Sequence, residues 1–420
     1  MTKASDTALP KAKASKLGNS KFRDNQLVLV FQGGGALGAY QAGVYQALDE
    51  AGIEPDWIIG TSIGAINASL IAGNERHNRL AAVKEFWQRM SHKSPLHGWP
   101  GLEAFAQSFS NLNTVVSGIP GFFEPNPMAF LGGGIPLGAD SAGYYSTAPL
   151  EKTLNELVDF SLIKKNKPRL TVGAANVRTS QMRYFDSRET EFDARHIMAS
   201  GALPPAFPAV RIDGELYWDG GILSNTPTEA IFDDYPRRNS VIFAVHLWNP
   251  DGSEPATMDE VAHRQKDIMY SSRVANHIAR QQEAHRLRHI VKELSALLPE
   301  DSLANPKVRE MRAYGCLTRM HVVRLMAPNL EGSNHTKDVD FSPSGIARRW
   351  EAGYRSAHGA ILQAPWQGEF DSLEGVILHE SVNEWREAKA QDCVVRTEAK
   401  QPTPAVVHSG GINGTDSRVN

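Results

Sequence analysis

The sequence predicts an α/β fold, with a mostly parallel central sheet flanked by helices in three α/β/α layers. Three stretches carry this prediction, at 26–38, 56–72 and 216–221, and in each a short apolar run meets glycines. The first two stretches continue into helical patterns, so strand, glycine turn and helix follow one another twice. Uninterrupted apolar runs are typical of parallel strands that are buried on both faces.

The first strand is predicted over 26–31, where five apolar residues follow Gln26. It leads into a glycine loop at 33–38, which ends with Gly38, and then into a helix that stops at Gly52. Backbone amides in a loop that opens a helix point toward a bound anion. In an acyl-transfer enzyme that anion is the tetrahedral oxyanion, and one such donor is typically worth about 3 kcal/mol of the barrier.

A G-x-S-x-G pentad at 60–64 places Ser62 between a predicted strand at 56–59 and a helix of small residues. In a strand–turn–helix context this pattern is a nucleophile elbow. The turn is so sharp that the serine backbone enters a strained region. Gly60 and Gly64 would let strand and helix approach without Cβ clashes.

A carboxylate follows a third apolar run, because Asp219 stands directly before Gly220 and Gly221. Asp-Gly alone predicts a hairpin turn. The Ser62 hydroxyl, however, needs a base to take its proton. An aspartate with its usual pKa near 4 is a poor base, but burial would raise that pKa. We therefore predict a Ser-Asp dyad that contains no histidine.

Over residues 26 to 250 the chain resembles the patatin-like phospholipase family. The resemblance lies in the glycine loop, the elbow, the Asp219-Gly220-Gly221 stretch, the segment 199–210 before it and Asn225-Thr226-Pro227 after it. It implies a patatin-like α/β acylhydrolase fold with Ser62 as nucleophile and Asp219 as proton acceptor. It also implies an oxyanion hole formed by the amides of Gly33, Gly34, Gly35 and Ile63.

The chain departs from the family pattern at one position of the loop. Leu37 stands where the family often carries arginine or lysine. The departure concerns an additional cation near the oxyanion or a lipid phosphate, and it leaves the backbone donors in place.

Two other interpretations of the motifs compete with the dyad. Gly33-x-Gly35-x-x-Gly38 also fits a dinucleotide fingerprint, but Asp56 lies at the wrong end of the second strand to contact a ribose. Alternatively, Asp219 and His246 could complete a Ser-His-Asp triad, since they follow the serine in the order of α/β-hydrolases. A lone histidine in a buried strand, or in a short helix as for His196, is more often structural, and we favour the dyad.

Composition and patterning divide the 420 residues into four parts. These are a basic leader at 1–25, a catalytic domain at 26–250, a helix-rich C-terminal extension packed on the core at 251–395 and a flexible tail at 396–420. Within the second part, the Gly- and Pro-rich segment 91–145 is predicted to act as a lid that covers the site and offers apolar surface to lipid. Its aromatic residues are Trp99, Phe105, Phe109, Phe122, Phe123 and Phe130.

The C-terminal extension is predicted to contain a long helix over 259–298, a strand at 320–326 and a helix at 344–362. Apolar residues recur along the long helix while Arg, Lys and His crowd its other faces. We expect these elements to flank the sheet and to pack against it.

The remaining composition bounds the function. Hydrophobic residues make up 41% of the chain and charged residues 22%, as in globular proteins, and the two cysteines argue against a disulfide framework. No Cys/His cluster has the spacing of a zinc site, so we expect no metal and no cofactor. We also expect no nucleic-acid partner and a cytoplasmic or membrane-peripheral location.

Together the motifs predict a serine acylhydrolase, a phospholipase A or lipid esterase, that cleaves acyl esters through an acyl-enzyme. Two alternatives remain open. One is an esterase for another ester, short-chain or from a storage polymer. The other is a catalytically silent scaffold that binds lipid or protein.

Overall fold

The computed structural model describes residues 25–91, 116–271, 274–329 and 336–380. The predicted leader at 1–25, except for its last residue, and the tail at 396–420 lie outside the described residues. So does the first part of the predicted lid, with Trp99, Phe105 and Phe109.

The described chain contains eleven strands and twelve α-helices. The strands are β1 (Gln26–Phe31), β2 (Trp57–Gly60), β3 (Glu124–Pro125), β4 (Tyr145–Ser146), β5 (Arg169–Asn176), β6 (Met182–Asp186), β7 (Val210–Ile212), β8 (Glu215–Asp219), β9 (Ser240–His246), β10 (Met320–Met326) and β11 (Val376–Glu380). The helices are α1 (Ala39–Glu50), α2 (Ile63–Ala72), α3 (Arg79–Met90), α4 (Ala148–Leu157), α5 (Phe160–Ile163), α6 (Ala194–Ser200), α7 (Glu229–Phe232), α8 (Met258–Ser271), α9 (Val274–Ala296), α10 (Glu300–Leu303), α11 (Pro306–Ala313) and α12 (Pro343–Gln363).

Nine strands form one mixed, mostly parallel sheet, as the sequence predicts. Its order is β11-β10-β9-β1-β2-β5-β8-β7, and the strands from β11 to β5 are parallel to their neighbours. β6, β7 and β8 are antiparallel additions next to β5. The carboxyl ends of β1 and β2 therefore lie at the same edge, where ligands bind in open α/β sheets.

One edge of β5 is shared by two strands, and this arrangement positions the site. Val172 of β5 pairs with Gly60 at the end of β2, and two residues later Ala174 pairs with Asp219 at the end of β8. β6 occupies the opposite edge of β5 at both positions. β2 and β8 therefore approach each other end to end, which brings the residues after Gly60 close to Asp219.

Helices cover both faces of the sheet, which gives the predicted three layers. In β1, Leu27, Leu29 and Phe31 belong to a core that α1, α2, α3 and α12 complete. Val28 and Val30 belong to a second core, which α7 and α9 cover. This two-sided burial explains why the β1 run is apolar without alternation.

The C-terminal residues add strands and helices to the same sheet. β10 and the helix α12 match the predicted elements, and β11 joins β10 in parallel. α12 packs closely on α1, where the Trp350 indole donates to Gln46 and the Tyr354 hydroxyl to Glu50 at 2.7 and 2.8 Å. The boundary at residue 250 stays a prediction.

Within the helix predicted over 259–298 the structure describes α8 and α9, and residues 272 and 273 between them lie outside the described residues. The buried face differs from expectation, because α9 leaves Leu287 and Leu294 exposed while it buries His285 and His289. The His289 ring nitrogens lie 2.8 and 3.0 Å from the carbonyl oxygens of Ser372 and Thr318. On the inner face of α9, His289 therefore donates to a carbonyl group of a neighbouring loop, which an apolar side chain could not do.

Candidate active site

Ser62 lies on a tight turn between β2 and α2. Its φ is 56° and its ψ is −126°, a strained conformation for a residue with a side chain. A Cβ on Gly60 would lie 2.4 Å from the Gly64 carbonyl oxygen, and one on Gly64 would lie 2.3 Å from that of Phe31. Only glycines allow strand and helix to meet this closely.

A neighbouring helix anchors the backbone of this turn. The Ser62 amide donates to the hydroxyl and to the carbonyl oxygen of Ser200, at 3.0 and 3.1 Å. The Ser200 hydroxyl in turn donates to the Gly173 carbonyl on β5 at 2.6 Å. Ser200 therefore ties the strained turn to the central sheet. It lies within the segment 199–210, but its role could not be derived from the sequence.

Asp219 ends β8 and is almost fully buried, with 3% of its surface exposed. Its carboxylate accepts a hydrogen bond from the Gly221 amide at 2.7 Å, and the Ser62 hydroxyl lies close enough to influence its pKa. Burial raises the pKa of Asp219 to about 7, although the Gly221 amide and the Ser62 hydroxyl act to lower it. The side chain can therefore exchange a proton near neutral pH.

The glycine loop lies beside this pair, and one of its amides differs from expectation. The Gly33 amide already donates to the Asn225 carbonyl at 3.1 Å. The amides of Gly34, Gly35 and Ile63, by contrast, form no hydrogen bond with the described part of the chain. These three can therefore donate to an oxygen bound above Ser62, whereas the Gly33 amide holds the loop in place.

Residues from the C-terminal part of the chain support the loop from outside. Gly35 has a φ of 55°, and a Cβ there would lie 2.3 Å from the Asp338 carbonyl oxygen. The preceding residue, Lys337, is buried and forms an ion pair with Asp267 of α8 at 2.7 Å. The sequence shows no signal for this contact, because some 300 residues separate its two sides.

A buried glutamine connects the strand before the loop to three other segments. Gln32 donates to the Thr226 hydroxyl at 2.7 Å and to the Tyr270 carbonyl at 3.2 Å. Its side-chain oxygen accepts from the amides of Leu247 and Trp248, at 2.5 and 3.0 Å. A polar residue directly after the β1 run was the only sequence signal for this positioning role.

Ser62 and Asp219 open into a cavity of about 190 Å³. Its walls are mainly apolar, and residues from both the N-terminal and the C-terminal parts of the described chain contribute to them. Among the apolar residues are Ile63, Ile66, Phe122, Phe123, Leu203, Phe207, Val339 and Phe341. Phe122 and Phe123 come from the predicted lid segment, so its described part lies against the candidate site.

The two candidate histidines lie in other environments. His196 takes part in the capping box of α6, where its Nδ1 accepts from the Asp193 amide at 3.1 Å. His246 is buried at the end of β9, and its Nε2 has no hydrogen-bond partner among the described residues. Burial, assisted by Arg324, lowers the pKa of His246 to about 3. Among the described residues, the Asp219 carboxylate accepts from the Gly221 amide and lies near the Ser62 hydroxyl, and no imidazole bonds to it.

The fold and this site define a class of α/β proteins in which an elbow serine contacts a buried aspartate beside a glycine loop. Residues 29–232 match a family model described as patatin-like phospholipase, and residues 268–373 match one described as patatin phospholipase. Together the two models cover more than half of the sequence, and the chain belongs to the patatin-like phospholipase family.

Curated relatives match a short segment of the chain. Lysophospholipase nte1 of Aspergillus terreus is 61% identical over 44 residues, which are 10% of this chain and 3% of that protein. An uncharacterized NTE family protein of Mycobacterium bovis is 48% identical over 61 residues, 14% of this chain and 10% of that one. Patatin-like phospholipase domain-containing protein 7 of Rattus norvegicus is 41% identical over 63 residues, which are 15% of this chain and 5% of that protein. The chain thus covers a tenth or less of these relatives.

Solved structures of bacterial proteins show a more distant likeness. VipD from Legionella pneumophila is 19% identical with a TM-score of 0.36, over 89% of this chain and 75% of that one. The matching chain of the ExoU–SpcU complex of Pseudomonas aeruginosa is 14% identical with a TM-score of 0.25, over 82% of this chain and 78% of that one. Within the described residues, no helix has the length and apolar character needed to span a membrane.

Proposed function

We propose that this chain is a serine lipid acylhydrolase in which Ser62 is the nucleophile and Asp219 the general base. The observation that carries the proposal is the approach of the Ser62 hydroxyl to the buried Asp219 carboxylate, close enough to lower the pKa of that carboxyl. A general base works best when its pKa is close to the operating pH. The raised pKa of Asp219, about 7, meets this requirement without a histidine.

In the first half-reaction the Ser62 oxygen attacks the carbonyl carbon of an ester, and its proton passes to Asp219. The tetrahedral intermediate carries its negative charge on the former carbonyl oxygen, to which the amides of Gly34, Gly35 and Ile63 donate. When the intermediate collapses, the ester C–O bond breaks and the leaving alkoxide takes the proton from Asp219. The alcohol departs and the acyl group remains on Ser62 as an ester.

In the second half-reaction water attacks the acyl-serine carbonyl and gives its proton to Asp219. The same three amides stabilise the second oxyanion. Collapse breaks the bond to the Ser62 oxygen, which takes the proton back, and the carboxylic acid leaves. One water is consumed, and Asp219 ends as it began.

The walls of the site support an apolar acyl group as the substrate. Aromatic and aliphatic side chains line the cavity around Ser62, as expected for a pocket that takes a fatty acyl chain. In the predicted lid, Phe122 and Phe123 face this cavity while Phe130 and Leu131 are 62% and 66% exposed. We therefore propose that the segment both covers the acyl chain and contacts a lipid aggregate, which would place the protein at a membrane surface.

We propose that the catalytic domain ends near residue 250 and that the C-terminal extension follows it. Tyr270, Asp338, Val339 and Phe341 line the cavity together with Ser62. The C-terminal extension would therefore complete the catalytic site in addition to flanking the sheet.

Labelling with a fluorophosphonate probe tests the proposed nucleophile. We expect the probe to modify Ser62 alone, and peptide mapping by mass spectrometry should locate it there. Ser62→Ala should lose both labelling and hydrolysis of phospholipid and p-nitrophenyl esters. Labelling of another serine, or hydrolysis that survives in Ser62→Ala, would refute the assignment. A wild-type chain that neither labels nor hydrolyses any ester would be a silent scaffold instead.

Replacing His246 separates the dyad from a Ser-His-Asp triad. We expect His246→Ala to keep its hydrolysis rate within about tenfold of wild type, because a buried imidazole without a partner takes no proton from Ser62. The residual loss would come from the cavity left in the core. A triad predicts instead a loss of several orders of magnitude. Steady-state kinetics on p-nitrophenyl butyrate measures the difference, and circular dichroism of the variant controls for misfolding.

A further inference from the structure

A second, open groove of about 890 Å³ adjoins the cavity that contains Ser62. The two spaces share four wall residues, Leu203, Gly221, Asn225 and Tyr270. Beyond this boundary the groove wall combines apolar residues with polar and charged ones, which are Ser224, Thr226, Thr228, Glu229, His277 and Arg280. A ligand bound at Ser62 could therefore extend past the apolar cavity to polar and charged side chains without leaving the protein surface.

Tyr270 lies at the boundary between the cavity and the groove. Its ring packs on Trp248 with centroids 4.9 Å apart, and its carbonyl is held by Gln32 at 3.2 Å. Burial, with the charges of Asp219 and Asp338, raises the pKa of its hydroxyl to about 12. The hydroxyl therefore stays neutral beside the carboxylate and can donate a hydrogen bond to a ligand that passes it.

The proposed chemistry decides which part of the substrate enters the groove. Asp219 returns its proton to the leaving oxygen, so that oxygen must lie on the Asp219 side of the carbonyl carbon. The amides of Gly34 and Gly35 hold the other oxygen on the loop side. Gly221 donates to Asp219 and also lines the groove. The leaving alcohol therefore points into the groove, and the acyl chain stays in the apolar cavity.

The groove also offers an arginine that no carboxylate neutralises. Arg280 on α9 is exposed, and it forms no ion pair with any residue in the described ranges. The carboxylate of the groove, Glu229, is instead engaged by the Tyr184 hydroxyl. A guanidinium group suits phosphate oxygens because its donors form a planar fork.

We propose that this groove binds the leaving-alcohol portion of a glycerophospholipid and that Arg280 determines specificity by binding its phosphodiester. The inference rests on the proposed function, because Asp219 as proton donor orients the substrate. It assigns the recognition of the phosphodiester to one residue of the C-terminal region, Arg280.

The test compares two substrates that differ in the headgroup. Dihexanoyl phosphatidylcholine below its critical micelle concentration and dihexanoylglycerol carry the same acyl chains, and monomeric substrates remove any effect of binding to an aggregate. We expect Arg280→Ala to lower kcat/KM for the phospholipid by about tenfold to a hundredfold, the usual range for a charge-assisted hydrogen bond. Hydrolysis of dihexanoylglycerol should change by no more than about twofold, and Arg280→Lys should recover part of the loss.

Arg286→Ala is the matched control, because Arg286 is an exposed arginine on the same helix that does not line the groove. It should leave both rates unchanged. An Arg280→Ala variant that loses neither activity, or that loses both equally, would overturn the assignment while the proposed function stands. If wild type hydrolysed neither ester and Ser62 took no probe, the proposed function would fail and this inference with it.

Discussion

Asp219→Asn is expected to lower ester hydrolysis by about three to four orders of magnitude, the effect of removing a general base from a nucleophile. The amide has nearly the same shape and can still accept the hydrogen bond from the Gly221 amide, which Asp219 receives at 2.7 Å. It cannot take the Ser62 proton. The loss should therefore appear mainly in kcat, measured at saturating p-nitrophenyl butyrate.

Two pH measurements distinguish this loss from unfolding. For wild type, kcat/KM should fall as the pH drops below about 7, because Asp219 becomes protonated. A carboxyl whose pKa is raised in the folded state contributes stability that is present at acid pH and lost as the pH rises through about 7. Asp219→Asn removes that loss and should exceed wild type in stability above pH 7, by up to about 4 kcal/mol.

Urea unfolding across pH 4 to 9 measures the second effect, because the stability difference develops between the ordinary carboxyl pKa near 4 and the Asp219 pKa of about 7. An Asn variant that is both inactive and more stable at alkaline pH would identify the residue as a base held at a cost in stability. An active Asn variant, or one that is less stable than wild type at every pH, would contradict the proposed role.

Gly353→Ala is expected to destabilise the protein by about 3 kcal/mol, because the added methyl group has no space. Its Cβ would lie 1.9 Å from the Tyr40 carbonyl oxygen of α1. A Cβ added to Gly43 of α1 would lie at the same distance from the Trp350 carbonyl oxygen of α12. The two helices therefore cross with a glycine on each side. The contacted atoms belong to the backbone of α1, which cannot move aside as a flexible side chain could. The two helices must therefore move apart to make room for the methyl group.

Gly359→Ala provides a matched control on the same helix. No atom lies within 4 Å of a Cβ at Gly359, so this change should stabilise the protein by about 0.5–1 kcal/mol through helix propensity. The free energies of unfolding of both variants can be measured in guanidinium chloride. Equal effects of the two substitutions would refute the close crossing. Because α1 starts at the glycine loop, Gly353→Ala should also lower esterase activity.

The sequence alone determined which residues carry the candidate chemistry and in which order they occur. Glycines at 60 and 64, an elbow serine and an Asp-Gly-Gly stretch are local requirements, since each depends on backbone within a few residues or on one close contact. The apolar β1 run likewise predicted a strand buried on both faces. These features could be predicted because close backbone contacts require glycine and burial on both faces requires apolar residues.

Only the tertiary structure decided how those residues meet. β8 occupies the edge of β5 beyond β2, which places Asp219 against Ser62, and burial there raises the carboxyl pKa. The fold also engages the Gly33 amide with Asn225 and brings Tyr270 and Asp338 to the site. Strand pairing, burial and contacts between distant segments depend on the packing of the whole chain, and no local pattern encodes them.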